Sequence, residues 1–186
     1  MEKFTPINTI QIVIGSWGSY NACNEKALGS KWIDLYNYND WEEIEEELRQ
    51  QGFDLNGIDE ELFIQDIDGI DCKTLHCDYM HPKRLFEIIK ESEILEDIYK
   101  YETMEAYLEV RTFDEFENRV NRYGSNWDTD IYLYKNTDWY DLAYQFLHEF
   151  HEIPDYLDNY IDYEKYGEEL KYDGFEEYSD GIIEIR

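Results

Sequence analysis

The sequence predicts an α+β protein in which three small domains follow one another in an elongated row. Strand-like apolar segments occur near both ends of the chain, and helical periodicity dominates the middle. The aromatic content of 17% predicts a folded chain, because disordered acidic chains are poor in such side chains. The 186 residues suffice for one large domain or for two to three small ones.

The first domain is predicted over residues 1–70 as a small antiparallel sheet covered by one helix. Its strands are the short apolar segments at residues 10–14, 31–36 and 62–66. Residues 15–30 are rich in Gly, Ser and Asn and predict a loop. Asp40 and Glu43 form a capping-box pattern at the start of the helix, which ends at Gly52. The apolar face of this helix consists of Trp41, Ile44 and Leu48.

The second domain is predicted over residues 71–111 and is helical. His81-Pro82 marks a helix start, because proline fits the first helical position. The apolar stripe of that helix consists of Leu85, Phe86, Ile88 and Ile89. Apolar residues continue at three- and four-residue spacings over residues 94–108, which predicts one or two further helices.

The third domain is predicted over residues 112–186 and mixes sheet and helices. Thr112 and Glu115 form a second capping box, and the helix that follows ends at Gly124. Thr137 is the predicted N-cap of the most regular helix in the chain. The remaining elements are a strand at residues 130–134, short helices at 154–160 and 163–170, and a hairpin at 175–185 that turns at Asp180-Gly181.

The charge balance is strongly acidic. Asp plus Glu number 45 against 16 Lys plus Arg, which gives a formal net charge of -29. This charge excludes a basic surface that would bind nucleic acid or an anionic membrane. Binding partners should therefore be basic or have basic grooves. Duplex DNA carries one charge per about 1.7 Å, so the net charge corresponds to about 50 Å of duplex. A compact chain of this length is only about 35 Å across. An elongated row of domains would be longer, so its charges would be spaced nearly as they are along DNA.

The acidic residues lie on the polar faces of nearly every predicted helix rather than in one tail. One interpretation is a solvated surface or an adaptation to high salt; the other is a surface that binds a basic partner. The acids predicted to bind such a partner in the manner of phosphates are Glu42, Glu43, Glu46, Glu47, Glu87, Glu91, Asp114, Glu115, Asp138, Asp141, Glu149, Glu152, Asp155, Asp158, Asp162, Glu168 and Glu169.

No signal peptide or membrane span is predicted. The longest apolar run near the start covers residues 12–14, far below the roughly 18 residues of a span. The sequence has three cysteines, Cys23, Cys72 and Cys77. An odd number of cysteines does not indicate a framework of disulfides. These observations predict a reduced, cytoplasmic protein.

A calcium- or metal-binding module is the alternative function. Four side chains of the types that bind zinc occur with the spacing C-x3-H-C-x3-H: Cys72, His76, Cys77 and His81. This spacing matches no common zinc module. Residues 54–59 and 66–71 resemble fragments of calcium loops but lack the full set of oxygen ligands. We therefore predict no metal ligands and no cofactor.

Catalytic motifs are also missing from the sequence. Residues 15–18 match neither a phosphate-binding loop nor a dinucleotide fingerprint. There is no Gly-x-Ser-x-Gly elbow and no H-E-x-x-H helix. His148 and His151 have a spacing typical of a solvated helix edge. The protein is not predicted to be an enzyme.

Two stretches resemble ArdA-type antirestriction proteins. Pro154 to Leu170 fit the family run P-x-x-L-x-N-Y-I-D-Y-x-x-Y-G-x-x-L. At the front, Tyr20-Asn21, Leu28-Gly29 and Trp32 resemble the family segment Y-N-x-G-x-L-x-G-x-W, and residues 61–66 and 181–185 resemble family strands. The resemblance covers residues 10–70 and 112–186.

The resemblance implies a function and a mode of assembly. ArdA proteins are elongated, dimeric DNA mimics encoded on conjugative elements, and they occupy the DNA-binding groove of type I restriction–modification enzymes. The resemblance implies that this chain blocks restriction, with its carboxylates in the place of DNA phosphates. It also implies that the binding partners are the restriction enzyme and a second copy of this chain, rather than nucleic acid or a membrane. The dimer contact is expected in the C-terminal section, at Tyr132, Tyr134, Tyr156, Tyr160, Tyr163 and Tyr166.

Overall fold

The computed structural model describes residues 9–71 and 73–186, and within them the protein is α+β, as predicted. This part of the chain contains eight α-helices and two antiparallel three-stranded sheets. The side chains of Asp78 and Asp155 are not described. No helix in the described part is long and apolar enough to cross a membrane.

The first sheet has the strand order β2-β1-β3. Its strands are β1 (Gln11–Ser16), β2 (Ile33–Asp34) and β3 (Leu62–Asp68). The predicted second strand is too long, because the Asp34 side chain accepts the Tyr36 N–H at 3.1 Å and starts a 3-10 turn. The chain therefore leaves the sheet after two paired residues.

The segment predicted as a loop over residues 15–30 contains a helix, α1 (Trp17–Ala22), and that part of the prediction was wrong. Ser16 is its N-cap, because the Ser16 Oγ accepts the Ser19 N–H at 3.3 Å. Cys23 ends the helix in the left-handed region, with φ 49°. A serine-rich stretch can thus cap a helix as readily as it forms a loop.

The predicted covering helix is α2 (Trp41–Gln50), and its caps explain its ends. The Asp40 carboxylate accepts the Glu43 N–H at 3.0 Å. Glu43 does not return that bond to Asp40, as a complete capping box would; it accepts the Asn39 N–H at 2.7 Å instead. Gly52 follows the helix with φ +91°, as predicted for a C-terminal glycine.

Three helices form the middle of the chain: α3 (Pro82–Ser92), α4 (Ile98–Val110) and α5 (Phe113–Tyr123). The predicted capping box at Thr112 and Glu115 is complete. Trp127 fills the centre of this helical layer with no exposed surface, and its indole N–H donates to the Ser92 carbonyl at 3.2 Å. Phe116 contacts it edge to face at 5.0 Å between ring centroids.

The second sheet has the order β4-β6-β5. Its strands are β4 (Ile131–Lys135), β5 (Phe175–Tyr178) and β6 (Gly181–Ile185). Tyr178 pairs with Gly181, so Ser179 and Asp180 form the turn, one residue earlier than predicted. Gly181 itself belongs to the strand, where its φ of +148° and the nearby Tyr134 carbonyl leave no room for a side chain.

Three further helices lie between β4 and β5 in the chain: α6 (Trp139–Phe150), α7 (Asp155–Asp158) and α8 (Tyr163–Leu170). The predicted N-cap of α6 at Thr137 was wrong by one residue. Asp138 caps the helix, because its carboxylate accepts the Asp141 N–H at 2.8 Å. The Thr137 hydroxyl donates to the Lys135 carbonyl instead, at 3.1 Å.

One buried apolar cluster extends from Ile10 in the first section to Ile183 in the last and passes through α3, α4 and α5. A smaller second cluster joins α6 and α8 to the second sheet through Leu142, Leu170, Phe175 and Ile182. The helices α6 and α8 are therefore held on β5 and β6. The division into three domains at residues 70 and 111 stays a prediction.

Candidate functional site

The candidate site is a set of carboxylates on the outer faces of the helices and at their ends. Among the predicted acids, those the structure places at exposed positions are Glu42, Glu43, Glu46, Glu87, Glu91, Asp114, Glu115, Asp138, Asp141, Glu149, Glu152, Asp162, Glu168 and Glu169. Glu47 and Asp158 are half-buried, and the side chain of Asp155 lies outside the description. Asp138 and Asp162 are N-caps, and Glu152 follows the end of α6. The other exposed acids lie within helices and face the solvent because the apolar residues between them face the core.

Several of these acids also stabilise the helices that carry them. Asp138 and Asp162 cap α6 and α8 by accepting backbone N–H groups at 2.8 Å and 3.0 Å. The Asn39 N–H holds the pKa of Glu43 below its ordinary value, and Thr112 does the same for Glu115. The lowered pKa values keep Glu43 and Glu115 ionised at neutral pH, and the hydrogen bonds fix all four carboxylates in position, as a binding surface made of charges requires.

Eight of the 16 lysines and arginines form ion pairs within the described part of the chain. Arg84 on α3 forms ion pairs with Asp114 and Glu117 on α5. Further ion pairs join Arg49 to Glu45, Lys100 to Glu93, Arg111 to Glu176, Lys135 to Glu102, Lys171 to Glu168 and Arg186 to Glu184. The acids without a cation therefore dominate the outer surface.

A groove of about 770 Å³ lies between α4 and the turn of the C-terminal hairpin. Its carboxylates include Glu102, Glu105, Glu109 and Asp180, none of which was among the predicted acids. Burial and these neighbouring carboxylates raise the pKa of Glu105. Sequence reasoning missed this group because α4 is buried on several sides, so its sequence has no single polar face.

Asp59 is a buried acid that holds a loop together. It lies at the end of residues 54–59, the fragment that resembles a calcium loop, and is 2% exposed. The Ser19 hydroxyl donates to its Oδ1, and the Asp54 N–H donates to its Oδ2 at 2.8 Å. Burial opposes its charge, but these hydrogen bonds outweigh burial and lower its pKa. Both oxygens of Asp59 are thus occupied within the protein.

The residues of the possible zinc cluster have other contacts where they are described. Cys72 lies outside the described residues. His81 is the N-cap of α3, where its Nδ1 accepts the Lys83 N–H at 3.2 Å, and its ring contacts Trp41. Burial and Lys83 lower the pKa of His81. No group of three or more potential metal ligands occurs within residues 9–71 and 73–186.

The predicted dimer-contact tyrosines divide into two groups. Tyr132, Tyr156 and Tyr160 are exposed, by 41%, 73% and 85%. The other three contact the protein's own interior: Tyr134 and Tyr166 border the second apolar cluster, and Tyr163 is buried. Phe150 and Leu157, which lie in the same stretch of chain as Tyr156 and Tyr160, are also exposed.

Tyr163 connects the three C-terminal helices. Its hydroxyl donates to Asp158 and lies 3.0 Å from the Nε2 of His148, which in turn lies 3.1 Å from the Asp158 carboxylate. The Tyr163 hydroxyl lowers the pKa of Asp158, and burial together with Asp158 raises the pKa of Tyr163 to about 12. This contact fixes α7, which Asp158 ends, against α6 and α8.

The fold and this surface define a class of protein: an α+β protein whose outer helix faces present many carboxylates, a few of them paired with cations of the chain itself. A family model described as "Antirestriction protein (ArdA)" matches residues 12–184, nearly the whole chain. The chain therefore belongs to the ArdA family of antirestriction proteins. No curated protein gave a significant match. The family implies an antirestriction function and an interaction with restriction enzymes, and it is not a known enzyme family.

Proposed function

We propose that this protein inhibits type I restriction–modification enzymes by occupying their DNA-binding groove. The observation that carries the proposal is the exposure of acids on successive helices, while eight of the 16 lysines and arginines are paired with acids of the chain itself. A groove that binds phosphates with Lys and Arg can bind carboxylates with the same side chains. The protein would act by binding alone, without catalysis.

Charge density on the helices supports this proposal. Glu42, Glu43, Glu46 and Glu47 fall within the first two turns of α2, which rises about 1.5 Å per residue. Four carboxylates over the six residues 42–47, about 9 Å of helix axis, correspond to about one charge per 2.3 Å. Duplex DNA carries one charge per about 1.7 Å. A single acidic helix face thus has about three quarters of the linear charge density of DNA.

The fixed geometry of the acids would add to affinity. DNA that must bend to enter an enzyme requires deformation energy, whereas a protein folded in the required shape does not. The capping bonds at Asp138 and Asp162 and the ion pairs of Arg84 hold the acidic helices in place. We expect inhibition to weaken with salt, because salt screens exposed charges.

A dimer would extend this surface. One chain has the charge of about 50 Å of duplex, and a two-fold dimer doubles the length. The exposed Tyr132, Tyr156 and Tyr160 are the predicted contact residues with surface to bury. Sedimentation at about 0.15 M salt tests the assembly, because salt at that concentration screens repulsion between the chains. A purely monomeric species at micromolar concentration would contradict it.

The experiment for the proposed function follows DNA cleavage by purified type I enzymes in the presence of the protein. We expect cleavage to fall with increasing protein and to recover partly when excess DNA is added. Methylation by the same enzymes, measured in parallel, determines whether modification is blocked as well. Unchanged cleavage at high protein excess, across several type I enzymes, would contradict the proposal.

A further inference from the structure

Two ion pairs join α4 to the second sheet. The Nζ of Lys135, at the end of β4, lies 2.5 Å from the Oε2 of Glu102 on α4. Arg111, the residue that ends α4, pairs with Glu176 in β5. Neither pair is a local helix contact, because the partners come from different elements. Each pair therefore restrains the position of α4 relative to the sheet.

A third link connects α4 to the turn between β5 and β6. The Glu109 carboxylate accepts the backbone N–H and the hydroxyl of Ser179, both at 2.7 Å. Together the three links form what we call the α4 seam: Glu102, Glu109, Arg111, Lys135, Glu176 and Ser179. All of these residues except Glu176 line the groove between α4 and the hairpin turn.

Electrostatic repulsion opposes the closure of this seam. Glu105 and Asp180 border the same groove as Glu102 and Glu109. Burial and then the carboxylates of Glu102, Glu109 and Asp180 raise the pKa of Glu105, which shows that negative charge is crowded here. Arg111 and Lys135 counter this repulsion from the two sides that the seam joins.

The sheet held by the seam carries two of the acidic helices. α6 follows β4 in the chain, and the second apolar cluster attaches α6 and α8 to β5 and β6. The exposed carboxylates of Asp141, Glu149 and Glu168 therefore move with the sheet. If the sheet shifted against α4, these acids would shift against the acids of α2 and α3.

We propose that Arg111 and Lys135 are positioning residues of the inhibitor, which keep the C-terminal acidic helices in register with the rest of the acidic surface. This inference rests on the proposed function and deepens it. Charge alone gives the opposite expectation: a cation subtracts from the net negative charge, so its removal should strengthen binding to a basic groove. Positioning predicts that its removal weakens inhibition.

The test compares two double variants with equal net charge. Arg111→Gln with Lys135→Gln removes both cations of the seam. Lys31→Gln with Lys165→Gln is the control, because both lysines are exposed and their side chains make no ion pair within the described residues. We expect the seam variant to need at least fivefold more protein for half-inhibition of cleavage, and the control to inhibit at least as well as wild type.

Two further variants separate positioning from simple loss of folding. Arg111→Lys with Lys135→Arg keeps both charges and should restore inhibition. Ser179→Ala weakens the third link without changing charge and should reduce inhibition modestly while the circular dichroism spectrum stays native. Hydrogen exchange of the Ser179 amide should accelerate in the seam variant and stay unchanged in the control.

The outcomes distinguish this inference from the function on which it rests. If wild-type protein blocks no type I enzyme, the proposed function fails. If wild type inhibits and the folded seam variant inhibits as well as the lysine control, the function stands and the positioning role is overturned. A seam variant that is folded, binds less tightly and is rescued by the charge-preserving pair supports the role.

Discussion

Gly167 in α8 lies directly against the backbone carbonyl of Trp139 in α6: a Cβ atom at Gly167 would stand 2.4 Å from that oxygen. Gly167 belongs to the run of residues that resembles the family signature. Its place in the motif has a physical reason, since two acidic helices approach each other closely here and only glycine leaves room for the backbone.

Gly167→Ala should therefore destabilise the protein. Alanine has the higher helix propensity by about 1 kcal/mol, which alone would stabilise α8. The contact with a rigid backbone atom outweighs this, and we expect a net loss of about 1–3 kcal/mol in the free energy of unfolding. Urea denaturation measures it. Glu169→Ala, an exposed position in the same helix, is the control; equal stability of the two variants would contradict this packing.

Glu105→Gln should stabilise the protein. The raised pKa of Glu105 means that its charge is less favourable in the folded chain than in the unfolded one. Removing that charge relieves repulsion from Glu102, Glu109 and Asp180. We expect a higher melting temperature at pH 7 and a smaller gain at pH 4. Glu91→Gln, which removes an exposed charge elsewhere, should change the melting temperature less, and the reverse order would be inconsistent with repulsion in the groove.

Stability should pass through a maximum at mildly acidic pH. A group with a raised pKa, such as Glu105, binds its proton more tightly when folded, so stability increases as pH falls from 7 towards its pKa. Asp59 and Glu115 have lowered pKa values, so their carboxylates stabilise the folded state. This stabilisation is complete above the ordinary pKa values of 3.8 and 4.5 and is lost as the pH falls below them. Thermal melts from pH 8 to pH 3 should rise and then fall. A steady decrease from pH 8 to pH 3 would contradict the raised pKa of Glu105, and a steady increase would contradict the lowered pKa values of Asp59 and Glu115.

Binding energy should be distributed over many acids. Glu42, Glu46, Glu87 and Glu91 are exposed, so each ion pair with the enzyme should contribute about 0–1 kcal/mol. Each single change to Gln should raise the concentration for half-inhibition by no more than about fivefold. The four changes together should raise it much further. A single folded variant that abolished inhibition would show a localised contact instead of a distributed surface.

The sequence predicted those features that depend on neighbouring residues. The caps at Asp40, Thr112 and His81 act within four residues, so their patterns were visible and the helices they begin were correctly placed. The exposure of the helix-face acids followed from the same periodicity. Contacts between residues that are distant in the sequence have no local pattern and could not be predicted. Asp59 accepts a hydrogen bond from Ser19, 40 positions away, and Arg111 forms an ion pair with Glu176.

Displacement of DNA tests the central claim most directly. A fluorescently labelled duplex that carries the recognition sequence is bound to a type I enzyme, and the protein is titrated in while anisotropy is followed. We expect complete release of the duplex, with a midpoint that increases in proportion to DNA concentration, because the two ligands would share one groove. Inhibition of cleavage while the duplex stays bound would contradict the claim that this acidic surface occupies the place of DNA.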